Sequence, residues 1–130
     1  MYFDALIGST FQPAEADGST VVRLELRPEH HGQHGFVHGG VLCTLAHQSA
    51  GAAVYARCAG KEAVMLGLQM NFVKASWTGS LESRSTVVRH GSRTSLVETH
   101  IYGDDGELRA KASSTFLILD RALAAPTTRG

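Results

Sequence analysis

The polar and apolar positions change period along the chain. Val22, Leu24 and Leu26 alternate with Arg23, Glu25 and Arg27, the period of two that marks a strand with one buried face. Asp17-Gly18 just ahead of them predicts a hairpin turn back to a short strand near Phe11. From Val41 to about Ala59 there is no Pro and much Ala, Leu and Val, and Leu42, Leu45, Ser49, Ala52 and Ala56 fall on one helical face. Gly51 inside that helix costs about 1 kcal/mol relative to Ala, which predicts another backbone packed close to it. Ala59-Gly60 supplies the stop. Between strand and helix, His30 to Gly40 holds four His, four Gly and no apolar run, and reads as a loop.

Beyond the helix, four strands are predicted at Ala63–Ala75, Leu81–Arg89, Thr94–Tyr102 and Leu108–Leu119. Gly79-Ser80, Gly91-Ser92 and Gly103-Asp104-Asp105-Gly106 mark the turns. Long strands with short turns imply an antiparallel meander, and the single helix must lie on one of its faces. Residues 1–120 read as one domain and residues 121–130, with Pro126 and two Thr, as a loose tail.

Length and charge narrow the classes. The 130 residues suit one domain, and 43% apolar residues are enough for a core. Twelve basic and 12 acidic residues cancel, which argues against a nucleic-acid partner held by phosphate neutralisation. No apolar run long enough for a membrane span and no signal peptide are visible, so the expected location is cytoplasmic. Cys43 and Cys58, fifteen residues apart, would be separated by about 22 Å on one helix, beyond disulfide reach. They read as reduced, small, buried side chains.

Three segments resemble a known family. Gly35-Phe36-Val37-His38-Gly39-Gly40-Val41-Leu42-Cys43-Thr44-Leu45 is similar to the G-x-x-H-G-G-x-x-x-T-L signature of PaaI-like hotdog acyl-CoA thioesterases. Met70-Asn71-Phe72-Val73-Lys74-Ala75 resembles a strand of that family, and so does His90-Gly91-Ser92-Arg93-Thr94 with the strand and turn after it. The resemblance implies an α+β hotdog fold, an antiparallel sheet of five to six strands wrapped around one central helix. It also implies hydrolysis of acyl-CoA thioesters, with coenzyme A entering as part of the substrate and no other cofactor.

Thioester hydrolysis needs donors for the developing oxyanion and a base or nucleophile. Amides at a helix start are free to serve as the donors. The resemblance gives this role to Gly39, with Gly40 assisting, and has His38 shape the turn or bond near the thioester. A glycine-rich turn that merely closes a loop would read the same way. The base is where the chain departs from the family. The position nine residues after the motif His, an Asp or Glu in the family, is His47, and the Asn or Gln six residues before it is Gly32, flanked by His31 and Gln33. An imidazole can activate water but cannot form the anhydride open to a carboxylate. A polar helix residue facing a subunit interface is the alternative reading of His47. Thr44, Gln48 and Ser49 lie close by and read as structural.

Gly39 and His47 are eight residues apart, about 12 Å along a helix axis, so one chain does not bring both to one carbonyl. Two antiparallel copies do, and the resemblance implies a homodimer that pairs into a tetramer. Ala50-Gly51-Ala52-Ala53 suits either that association or packing on the sheet. Coenzyme A phosphates call for cations, for which Lys74, Arg84, Arg89 and Arg93 are candidates, each also readable as a solvated strand face. The resemblance favours Arg93 with Gly91 and Ser92 in its turn, and gives His34 a loop role at the substrate. Trp77 reads as core, with packing on adenine or an acyl chain as the alternative. Zinc at His31, His34 and His38 is set aside, because Gly32, Gly35 and Gly39 argue against the helix that would align them. A non-catalytic acyl-CoA binder is the alternative function, and the paired Asp and His of hotdog hydratases are not found.

Overall fold

The computed structural model describes residues 2–120; the tail at 121–130 lies outside the described residues. The elements are α1 (Phe3–Ile7), β1 (Thr10–Phe11), β2 (Thr20–Glu25), α2 (Gly39–Tyr55), β3 (Ala63–Phe72), β4 (Ser80–His90), β5 (Thr94–Gly103) and β6 (Leu108–Ile118), with a 3-10 turn at Pro28–His30. Six strands form one antiparallel sheet in the order β1-β2-β4-β5-β6-β3, and α2 packs on five of them. This is the hotdog arrangement.

The predicted hairpin is present. Gly18 takes a left-handed φ of 86°, Asp17 accepts from the Ser19 amide at 2.9 Å, and Thr10 and Phe11 pair with Arg23 and Val22. The predicted meander holds only for β4, β5 and β6. Its first strand, β3, ends at Phe72 and pairs with β6, because the chain from Val73 to Gly79 leaves the sheet and β4 pairs with β2 instead.

The central helix begins two residues earlier and ends four residues earlier than its pattern predicts. Its end is followed by Ala59 at φ 49° and Gly60 at φ 89°, left-handed conformations that no helix continues through. The buried line also turns away from the predicted face. Ala53 and Val54 are buried at its C-terminal end, while Ala52 is half-buried and Ala56 is exposed. A stripe spaced three and four residues in strict alternation drifts around a 3.6-residue helix. Ala50 and Ala53 are therefore used up against the sheet of their own chain. Gly51 faces out, with Phe116 Cε2 4.0 Å from where its Cβ would stand and no backbone packed near.

The core has two apolar clusters along α2. Leu42, Leu45, Leu24, Leu81 and Ile101 belong to one, and Ala50, Val54, Val97, Phe116 and Ile118 to the other. Between them runs a seam of buried hydroxyls. Ser49 Oγ lies 2.8 Å from Ser83 Oγ, 2.7 Å from Ser85 Oγ and 3.1 Å from the Leu45 carbonyl, and Ser85 Oγ lies 2.7 Å from Thr99 Oγ1. A hydroxyl has one proton and two lone pairs, so one orientation satisfies the set. Thr99 donates to Ser85, Ser83 and Ser85 donate to Ser49, and Ser49 donates to Leu45. Thr20 adds a bond of 2.6 Å to the Ser49 carbonyl. Ser114 is the only buried hydroxyl without a partner among the described residues.

The first helix, α1, has no counterpart in the sequence reading. Five residues with no side-chain cap fall well short of what forms a helix unaided, so tertiary bonds hold it. Buried His30 bonds the Ile7 carbonyl through Nε2 at 2.8 Å and accepts the Arg27 amide on Nδ1 at 3.0 Å, while the Arg27 guanidinium reaches the Leu6 carbonyl at 3.1 Å.

Ser49→Ala leaves the Ser83 and Ser85 hydroxyls with one acceptor fewer in a dry seam, and is expected to cost about 2 kcal/mol. Urea unfolding measures this, and a loss below about 0.5 kcal/mol contradicts the orientation given above.

Candidate functional site

The loop before α2 is tied to the chain that leaves β3. His31 Nε2 lies 2.6 Å from the Trp77 carbonyl, the Val37 amide donates to the Ser76 carbonyl at 2.9 Å, and His31 bridges to Val37. These ties aim the chain into the helix at Gly39. His38 occupies the N-cap position, and its side chain turns back so that the Gly40 amide donates to Nδ1 at 2.8 Å. The ring proton of a neutral His38 is then on Nε2.

Gly40 therefore differs from its expected role. Its amide is held by His38 of its own chain and is not open to an oxyanion. The Gly39 amide has no acceptor among the described residues. Both positions are tight for a side chain, though only against the side chains of exposed residues. A Cβ on Gly39 would stand 3.1 Å from Phe72 Cζ, and one on Gly40 would stand 2.9 Å from His38 Nδ1.

Gly39 opens on a cleft of about 380 Å³ lined by Phe36, Leu42, Phe72, Lys74 and Ser76. An adjoining depression shares Phe36 and Gly39 and adds Gln33, His34 and His38. His34 stacks on Phe36 with centroids 6.1 Å apart, and Phe36 meets Trp77 edge-on at 6.3 Å. Trp77 is thus a surface residue, 55% exposed, and not core as its apolar bulk suggests. It sits in the connection after β3, where no second layer covers it. Gly32 lines the depression too, its amide donating to the Phe36 carbonyl at 2.8 Å, and a Cβ there would stand 3.4 Å from His38 Cδ2.

The far wall is fixed by Arg109, buried among polar partners. Its Nε donates to Ser76 Oγ at 2.8 Å and its Nη2 to Asp105 Oδ2 at 2.9 Å. The Arg109 bond, with help from the Glu107 amide, holds the Asp105 carboxyl down at about 2. Lys74 pairs with Glu107, so its charge is already matched. Arg84 is likewise paired, with Glu15 at 3.3 Å and Glu82 at 3.5 Å.

His47 stands elsewhere. It is exposed on the outer face of α2, its ring parallel to Phe116 with centroids 6.4 Å apart. It lines a separate cleft of about 280 Å³ with Asp4, Phe11, Gln48, Gly51 and Tyr55. The fold thus gathers His34, His38, Gly39 and Lys74 and sets His47 apart from them. Gly91, Ser92 and Arg93 form the β4–β5 turn, where the Gly91 amide donates to the Thr94 carbonyl at 2.8 Å, and they line neither cleft. Cys43 is half-buried on α2 and Cys58 is buried past its end; both are free thiols, and burial pushes both up.

The thioesterase superfamily model matches residues 34–110, which spans the loop, α2 and most of the sheet. The chain belongs to the thioesterase superfamily. Hydrolysis of acyl thioesters is the chemistry this membership supports. A Pseudomonas aeruginosa protein named as a candidate esterase, PA0474, is 30% identical over 113 residues, 85% of this chain and 84% of its own. The conserved protein PA5202 of the same organism has a similar structure, with a TM-score of 0.85 and 27% identity over 92% of this chain and 94% of that one. A point mutant of the phenylacetic acid degradation protein PaaI from Thermus thermophilus gives a TM-score of 0.82 and 28% identity over 90% and 98%. No helix among the described residues of this thioesterase-superfamily chain is long and apolar enough to cross a membrane.

Sequence reasoning assigned no site role to two residues that shape the site: Phe72 covers Gly39, and Arg109 braces the wall through Ser76. Gln48, read as structural, joins α2 to α1. Phe72 lay within the segment that resembles a family strand, and Arg109 left a signal as a charge on a strand whose neighbours Ala110 and Ala112 face the core.

The Asp105–Arg109 pair has a pH signature. The folded carboxyl titrates at about 2, below its ordinary 3.8, so its contribution is complete above about 4 and is lost as pH falls from there to about 2. Thermal unfolding should show a drop across that window that is smaller in Asp105→Asn. Equal drops in both proteins would remove the pair from the account.

Proposed function

We propose that this chain hydrolyses an acyl-CoA thioester, with the oxyanion on the Gly39 amide and water activated by His47 of a second copy. The observation that carries the reading is the free amide of Gly39 at the start of α2, facing an apolar cleft. Such a donor is worth about 3 kcal/mol when it is aimed at the developing charge. Water oxygen attacks the carbonyl carbon as His47 takes a water proton. The tetrahedral intermediate then collapses, the carbon–sulfur bond breaks, and the proton passes from the imidazolium to the departing thiolate. His38 keeps the helix start in shape by occupying the Gly40 amide and leaving that of Gly39 to the substrate.

The second copy is called for by distance, since about 12 Å of helix separates Gly39 from His47. The free edge of β3 supports its presence. Among the described residues this strand of 10 residues pairs only with β6, and it exposes Leu66 and Phe72, the kind of edge that recruits another strand. Antiparallel pairing there sets two α2 helices antiparallel, which is the geometry the shared site needs, and pairs of dimers would follow the PaaI-like pattern. Arg93, with Gly91 and Ser92, is the candidate grip for the coenzyme A phosphates, because its guanidinium can bind phosphate in two-point fashion.

His47→Ala is expected to lower thiol release from acyl-CoA at least tenfold while circular dichroism stays unchanged; an undiminished rate removes His47 from the mechanism. Thermal stabilisation by acyl-CoA with no thiol release at any chain length would instead favour a binding protein. Sharing has its own readout. Mixed and reassociated Gly39→Ala and His47→Ala proteins should regain roughly a quarter of parental activity, because half of the random dimers carry one intact site by twofold symmetry. No recovery would place both groups of each site in one chain.

A further inference from the structure

The family position for a carboxylate on α2 carries His47, yet the fold returns a carboxylate to the same cleft by another route. Asp4, on α1, lines the cleft of about 280 Å³ that holds His47. Gln48, the residue after His47, is 5% exposed, and both ends of its amide are used. Its Oε1 accepts from Ser9 Oγ at 2.6 Å, and its Nε2 donates to Asp4 Oδ1 at 3.2 Å. The helix that carries Asp4 is clamped at its other end by His30 and Arg27 on the carbonyls of Ile7 and Leu6. Two sets of bonds therefore fix a five-residue segment with no cap of its own, and its one acidic side chain points at the residue beside His47.

We propose that Asp4 is a positioning residue for hydrolysis, the carboxylate that supports the His47 imidazolium formed when water is deprotonated. This rests on the proposed water-activating role of His47. The need is electrostatic. His47 and Asp4 are both exposed at an open cleft that Phe11 and Tyr55 also line, and a negative charge across that cleft favours the imidazolium as it forms. Gln48 makes the placement possible, because it turns one carboxylate oxygen toward itself and holds the group at the cleft. Ser9 in turn sets which end of the Gln48 amide presents its N–H groups.

Asp4→Asn separates this role from a structural one. The asparagine oxygen still accepts the Gln48 hydrogen bond, so the anchoring of α1 persists and only the charge is lost. The expected result is a tenfold or larger fall in kcat for acyl-CoA hydrolysis, with KM and Tm close to parental and with Asp4→Glu restoring the rate to within about threefold. In a His47→Ala background the same substitution should cost less than twofold, because the two groups act as a unit. A parental kcat in Asp4→Asn overturns the inference, and so does a full tenfold loss in the His47→Ala background. If His47→Ala itself keeps the parental rate, the water-activation reading has failed; if His47→Ala is slow and Asp4→Asn is not, only the inference about Asp4 has failed.

Discussion

The rotation of α2 about its own axis decides what this chain can offer a substrate, and Ser49 fixes that rotation. A helix of small apolar residues lying on an apolar sheet has several nearly equivalent settings, because alanine faces differ little in shape. A hydroxyl that receives two serines from β4 and gives to Leu45 has one setting. With Ser49 facing the sheet, Gly51 and His47 face outward, Gln48 turns toward α1, and the helix start presents Gly39 to the cleft beside Phe72. The hydroxyl seam continues across the strands, since Thr20 pairs with Ser85 and Ser85 with Thr99 in the sheet register. Strand alignment and helix rotation are thus set by one row of contacts.

Most of this architecture could be read from the residues. Alternation located β2, turn glycines located the three long hairpin strands, and the His-Gly-Gly segment located the start of the helix. What could not be read was relational. Nothing local in Ala63–Phe72 says that it pairs with β6 and not with the next strand, since alternation fixes which face is buried but not which neighbour is chosen. The short α1 carries no helical period because tertiary bonds from His30 and Arg27 create it. Trp77 looked like core because bulk alone does not reveal whether a second layer exists to cover it.

The candidate site divides in the same way. Gly39 and His38 were identifiable because a helix start has local chemistry, with free amides and a capping side chain. The loss of Gly40 as a donor was not, because it depends on the rotamer that carries His38 Nδ1 back over its own helix. His47 was singled out by its spacing from the motif His, but part of its surroundings, Asp4 and Phe11, comes from far earlier in the chain. Arg109 shows the reverse: a cation that sequence reasoning left unassigned holds Ser76, and through the Ser76 backbone holds Val37, two residues before Gly39.

The contact between Phe72 and Gly39 has an evolutionary consequence. The ring stands 3.1 Å from the place where a side chain at 39 would begin, so the two positions share one volume. A larger residue 39 makes the exposed Phe72 ring move aside or shrink, and a lineage that trims residue 72 releases the other from its restriction. The pair should therefore drift in concert, with bulk gained at one position matched by bulk lost at the other.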